Sequence, residues 1–144
     1  MITNCATYTG DLQIKFDKES DWDLEYINGQ PCMTDGFDTA VILSVFGESD
    51  FWQNDITNDP NEQYNSTFPD VIKQANVSQK TLLDGISAIK KALQWMIDTK
   101  ACENGLVTGE IINVYAIGWN VDIIKGGVVS KYEINWNKGV VNVL

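Results

Sequence analysis

Residues 79 to 98, QKTLLDGISAIKKALQWMID, constrain the fold most. Leu82, Ile86, Ile89, Leu93 and Met96 recur at spacings of four, three, four and three, which is one continuous face of a helix. Ser78 stands where an N-cap belongs. Lys80, Asp84, Lys90, Lys91 and Asp98 lie mostly off that face, while Gly85 and Ala92 lie beside it and leave room for a neighbour. The stripe reads as core rather than as a cofactor site, and Trp95 and Trp119 read as core with it. After TKACENG the period changes. Residues 106 to 119, LVTGEIINVYAIGW, read as one strand, and NVDIIK and VVSKYEINW as a hairpin turning at Gly126 and Gly127. A short apolar piece, VVNVL, follows. A helix with one apolar face beside such strands buries that face on a sheet.

The amino-terminal half adds smaller pieces. DLQIKF alternates Leu12, Ile14 and Phe16 against Gln13 and Lys15, and DWDLEYI alternates Trp22, Leu24 and Tyr26 against Asp23 and Glu25. These read as two half-buried strands of a hairpin. NGQPC then reads as a break at Gly29 and Pro31. TDGFDTAVILSVF, residues 34 to 46, is apolar at nearly every position after Asp38, so periodicity cannot separate strand from helix. Its β-branched residues favour a strand. Asp38 or Thr39 as a cap, Asp35 and Asp38 holding the turn, and Gly47 at the end favour a buried helix. Residues 48 to 69 read as a long polar contact loop carrying Phe51 and Trp52. The expected fold is α+β: one domain over residues 1–144, an antiparallel sheet packed with two to three helices.

Composition works by exclusion. The chain has 144 residues, with ten Lys, no Arg, no His and twenty acidic residues, for a net charge of −10. A chain of this length buries about 68–70% of its unfolded surface, enough for a core without staples. Without Arg there is no bidentate fork for phosphate or guanine, and scattered Lys residues make no basic patch. Nucleic acid and anionic membrane are therefore not expected partners; proteins are. Cys5, Cys32 and Cys102 fit no zinc spacing and no disulfide framework, so reduced thiols in a cytosolic chain are expected. No signal peptide and no membrane-spanning run is read.

Candidate chemistry is thin. Asp21 with Asp23, Asp35 with Asp38, and Asp55 with Asp59 and Glu62 are acid–base pairs of the kind a glycosidase uses, but twenty acidic residues produce such pairs by chance. NDITNDPNE is rich in oxygen yet lacks the glycine turn of a calcium loop. No catalytic residue, metal or cofactor is expected.

GDLQI, then TDGFDTAVILSVFGESDFW, then the helix ending KKALQWMID, then amphipathic strands, together resemble the gene-46-type baseplate proteins of Mu-like phages. Those are relatives of the gene-25-like baseplate wedge and sheath-initiator proteins of contractile tails. The resemblance spans roughly residues 10 to 136. It departs from the wider family in having no Glu-Pro-Arg-type triplet, since there is no Arg. The resemblance implies a structural role in the tail baseplate of a virion, in a sixfold assembly. Its implied partners are the tail sheath protein, the baseplate wedge proteins and the tail tube, with sheath strands added edge to edge. The expected partner-facing residues are Phe51 and Trp52 toward the wedge, and Ile111, Val114, Ile117, Tyr132, Ile134, Trp136, Val141 and Val143 toward the sheath. The alternatives are a peptidoglycan hydrolase and a small cytosolic protein-binding module.

Overall fold

The structure, a computed structural model, describes residues 3–4, 11–17, 21–34, 36–50, 52–59, 63–73, 76–137 and 140–143. Its elements are helices and antiparallel strands, the α+β class expected. The chain forms two compact units, Met1–Ile42 and Leu43–Leu144.

The first unit is built from short strands. β1 (Thr3–Asn4) and β2 (Asp11–Leu12) both pair with β7 (Met33–Thr34). β3 (Ile14–Asp17) and β4 (Asp21–Leu24) form the expected hairpin, with Phe16 opposite Trp22. β5 (Tyr26–Ile27) and β6 (Gln30–Pro31) form another. NGQPC is thus a turn rather than a break: Asn28 and Gly29 take φ of 53° and 77°, as a tight type I′-like hairpin turn needs. Gln13 replaces Leu12 as the buried residue, at 1% exposure against 39%. The strand is interrupted there, and Gln13 N donates to Cys32 O while Glu25 N donates to Gln13 O. Cys32 is disulfide-bonded, against the expectation of three reduced thiols. Antiparallel pairing of β1 with β7 brings distant segments together in a way that cysteine spacing does not display.

α1 (Asp38–Phe46) settles the ambiguous run as a helix. Asp38 is 4% exposed and accepts from Thr34 Oγ1 at 2.9 Å. It ties the helix start to β7 through its side chain, whereas the first backbone bond runs from Val41 N to Phe37 O. Thr39 Oγ1 donates to Leu12 O. Asp35 lies outside the described residues.

The second unit holds the main core. The expected loop of residues 48 to 69 contains a 3₁₀ turn (Trp52–Asp55) and the start of α2 (Phe68–Lys73). Asn54 closes it: Oδ1 accepts from Tyr64 N at 2.7 Å, and Nδ2 donates to Tyr64 O and Ser49 O. α3 (Gln79–Asp98) starts at Ser78, whose Oγ accepts from Thr81 N at 3.2 Å. Leu82, Ile89, Leu93 and Met96 are buried as its periodicity expects, whereas Ile86, expected on the same face, is half-buried at its margin.

Four antiparallel strands follow in the order β11-β10-β9-β8. They are β8 (Asn104–Asn113), β9 (Ala116–Lys125), β10 (Val128–Asn137) and β11 (Val140–Val143). The expected single strand over 106 to 119 is two strands joined at Val114 and Tyr115. Apolar turn residues hide that reversal; Asn113, whose Oδ1 accepts from Tyr115 N, is its one polar mark. The second turn is where it was expected, with Gly126 and Gly127 at φ of 58° and 76°.

The helix–sheet contact centres on Trp119. A Cβ on Gly85 would lie 2.5 Å from the Trp119 indole, and one on Gly109 would lie 3.0 Å from it. Gly109 is the register partner of Trp119. The indole therefore occupies space left by two absent side chains, one on the helix and one on the next strand. Its Nε1 donates to Leu82 O at 3.1 Å, and its ring meets Phe68 edge-on at 5.1 Å.

These contacts set the expected cost of four substitutions. Gly85→Ala gains helix propensity but forces the indole aside, so a net loss of about 1–3 kcal/mol is expected, and Trp119→Ala should lose about 3–5 kcal/mol. Asp38→Ala leaves the Thr34 hydroxyl without its buried acceptor and should cost about 1–3 kcal/mol, with Asp38→Asn costing less. Urea titration followed by Trp fluorescence and circular dichroism reads each; an unchanged midpoint contradicts the corresponding contact.

Candidate partner-binding edge

In β9, Ile117, Trp119, Val121 and Ile123 are 0–1% exposed, whereas Asn120, Asp122 and Ile124 are half-buried. The register carries this division across the sheet. Val107 and Gly109 of β8, and Tyr132, Ile134 and Trp136 of β10, fall on the Trp119 side. Thr108, Asn120, Asp122, Lys131 and Glu133 line a shallow open depression of about 490 Å³. That depression is polar and mixed in charge, as a solvated sheet face is.

The two ends of the sheet differ. β11 has four residues and β8 has ten. Among the described residues, no strand pairs with the outer side of β8. Its alternate backbone N–H and C=O groups therefore point away from β9 without a strand partner. Large apolar side chains cluster along it and at its turn: Leu106 is 51% exposed, Ile111 41%, Ile112 48%, Val114 76% and Tyr115 52%. A register shift between Ile111 and Asn113 ends the regular ladder there.

The expected contact residues divide accordingly. Ile111 and Val114 lie on this exposed edge and turn. Ile117, Tyr132, Ile134 and Trp136 are corrected: at 0–6% exposure their side chains belong to the core, and β10 is paired on both sides by β9 and β11. Alternation in the sequence marks two faces but not which one a helix covers. Val141 and Val143 are register partners of Trp136 and Ile134. Phe51 lies outside the described residues, and Trp52 opens the 3₁₀ turn. Ile112 and Tyr115 fall within the expected edge of residues 111 to 117, and Leu106 lies outside it; the signal for it is a β-branched and aromatic run too long for one strand in a small sheet.

Among the described residues no three His, Cys, Asp or Glu side chains gather as a metal site, and no helix is long and apolar enough to cross a membrane. Asp23, Asp55 and Asp59 are exposed. Lys80 bonds to Asp84 at 2.8 Å, which raises its pKa above the usual lysine value. Burial pushes the Cys102 thiol up, with the Lys125 charge opposing. No protein-family model matches the chain, and no curated protein or solved structure is significantly similar to it.

Cys102 is a free thiol and 4% exposed. Its raised pKa leaves less thiolate at mildly alkaline pH than an unfolded cysteine has, so alkylation should be slower in the folded chain and approach the unfolded rate in urea. Peptide mapping by mass spectrometry after timed iodoacetamide treatment reads this; equal rates in both states contradict the burial.

Proposed function

We propose that the protein is a structural component of a contractile-tail baseplate that binds the tail sheath and wedge proteins and initiates sheath assembly, without catalysis. The observation that supports it best is the ten-residue β8 edge bordered by exposed Leu106, Ile111, Ile112, Val114 and Tyr115. A long uncovered edge with apolar flanks invites unwanted pairing, and it is tolerable when a partner strand occupies it. The resemblance of the TDGFDTAVILSVFGESDFW and KKALQWMID segments to baseplate proteins supports the sheath protein as that partner, which would add its strand to β8. Under this reading Ile111 and Val114 lie at the contact, with Leu106, Ile112 and Tyr115 beside them.

Leu106→Lys with Ile112→Lys tests this, because both side chains are about half exposed and the variant should keep stability within about 1 kcal/mol. Wild-type chain is expected in purified tail particles at a low, fixed ratio to baseplate proteins by quantitative mass spectrometry. The double variant should be depleted from particles, which then lack sheath. Absence of the wild-type chain from particles overturns the reading.

A further inference from the structure

α3 lies across β8 with a defined rotation. Its Leu82 sits over Gly109, where a Cβ would come 2.7 Å from Leu82 Cδ1. One flank, at Thr81 and Asp84, faces Thr67, Asp70 and Val71, and Trp95 Nε1 on the same side donates to Ser44 Oγ at 2.8 Å. The opposite flank carries Leu83, Ile86, Lys90, Gln94 and Ile97, at the three- and four-residue spacing of neighbours on a helix. That flank runs beside the open edge of β8, antiparallel to it. Toward the start of β8, Lys90, Leu93, Ile97, Cys102, Gly105 and Val107 help to line a pocket of about 250 Å³. Leu83 is 53% exposed, and Ile86 and Ile97 are half-buried. Lys90 is exposed, and its ammonium makes no hydrogen bond or ion pair among the described residues.

A strand added to β8 places every second side chain on the helix side of the sheet, against this flank. We propose that the edge selects the sequence of the strand it takes. The occupant is an extended segment of another protein whose helix-facing side chains run apolar, acidic, apolar. The apolar residues cover Leu83 and Ile86 at one end and enter the pocket by Ile97 at the other, and the carboxylate meets Lys90. Lys90 is the sole charged residue of the flank, so a carboxylate is favoured there and a lysine or arginine repelled. Gly105 keeps the pocket open, since a Cβ there would touch nothing nearer than Ile123 Cδ1 at 3.7 Å. This inference rests on β8 as the partner edge and adds the chemistry of what the edge accepts.

The test uses two short synthetic peptides of alternating pattern, one with Leu, Glu, Leu and one with Leu, Lys, Leu on one face and Thr on the other. Fluorescence titration gives affinity, and NMR amide shifts across residues 104–113 of the full chain report edge pairing. The Glu peptide should bind about fivefold more tightly than the Lys peptide, with Lys90→Glu reversing the order. Gly105→Val, whose Cβ would meet no atom closer than Ile123 Cδ1 at 3.7 Å, narrows the pocket and should weaken the Glu peptide at least about tenfold, and bound peptide should slow Cys102 alkylation. Equal binding of both peptides with the β8 amides shifted, and no effect of Lys90→Glu, overturns selectivity while leaving the edge in place. Amides of β8 that no peptide shifts overturn the edge and the selectivity together. Concentration-dependent self-association through β8 assigns the groove to a second copy and also overturns the proposal.

Discussion

The second unit depends on one indole. Trp119 fills the space that Gly85 leaves on α3 and Gly109 leaves on β8, and it bonds to the Leu82 carbonyl. A tryptophan buried with its N–H satisfied contributes a large apolar area without the cost of an orphan donor. The two glycines give up helix and strand propensity to make the fit. In return the helix is held at one height and one rotation over β8 and β9. That rotation turns Leu82, Ile89, Leu93 and Met96 inward and leaves the flank with Leu83 and Lys90 facing outward beside the sheet edge.

The sheet that results is unequal. Its middle strands are paired on both sides, and among the described residues its outer β8 is paired on one. The strand carries partial protection: Glu110 places a charge on it, and the irregularity between Ile111 and Asn113 bends its end. Both are devices that discourage chance pairing. The net charge of −10 adds repulsion between copies. These brakes are weaker than those of an edge meant to stay empty, because neither Lys nor Pro interrupts the ten residues. An edge guarded against its own kind yet open to others suits an assembly surface.

Much of this was legible in the sequence, and the failures have physical reasons. The α3 face and the Ser78 cap follow from helical period and capping chemistry, and Gly126–Gly127 from the backbone angles of a tight turn. Gly85 could be read as a place of close approach, though not that Trp119 was the neighbour. The reversal at Val114 and Tyr115 was hidden because β-branched and aromatic residues normally mark strand interiors. The return through Gln30 to Thr34 is hidden because Gly29 and Pro31 read as a break, whereas Asn28 and Gly29 form a tight turn that carries the chain back. Ile117, Tyr132, Ile134 and Trp136 were placed outward because period two gives two faces without saying which one a helix covers. The pocket beside Gly105 and the isolation of Lys90 arise only when helix and strand meet.

Under the proposed function, a strand of another chain takes up the outward-pointing backbone groups of β8. Hydrogen exchange of the amides of residues 104–113, measured in the isolated chain and in assembled tail particles, tests it most directly. The outward-pointing amides of β8 should exchange quickly in the isolated chain and be protected in particles, with those of β9 and β10 slow in both. Fast exchange along β8 in particles that contain the chain would contradict it.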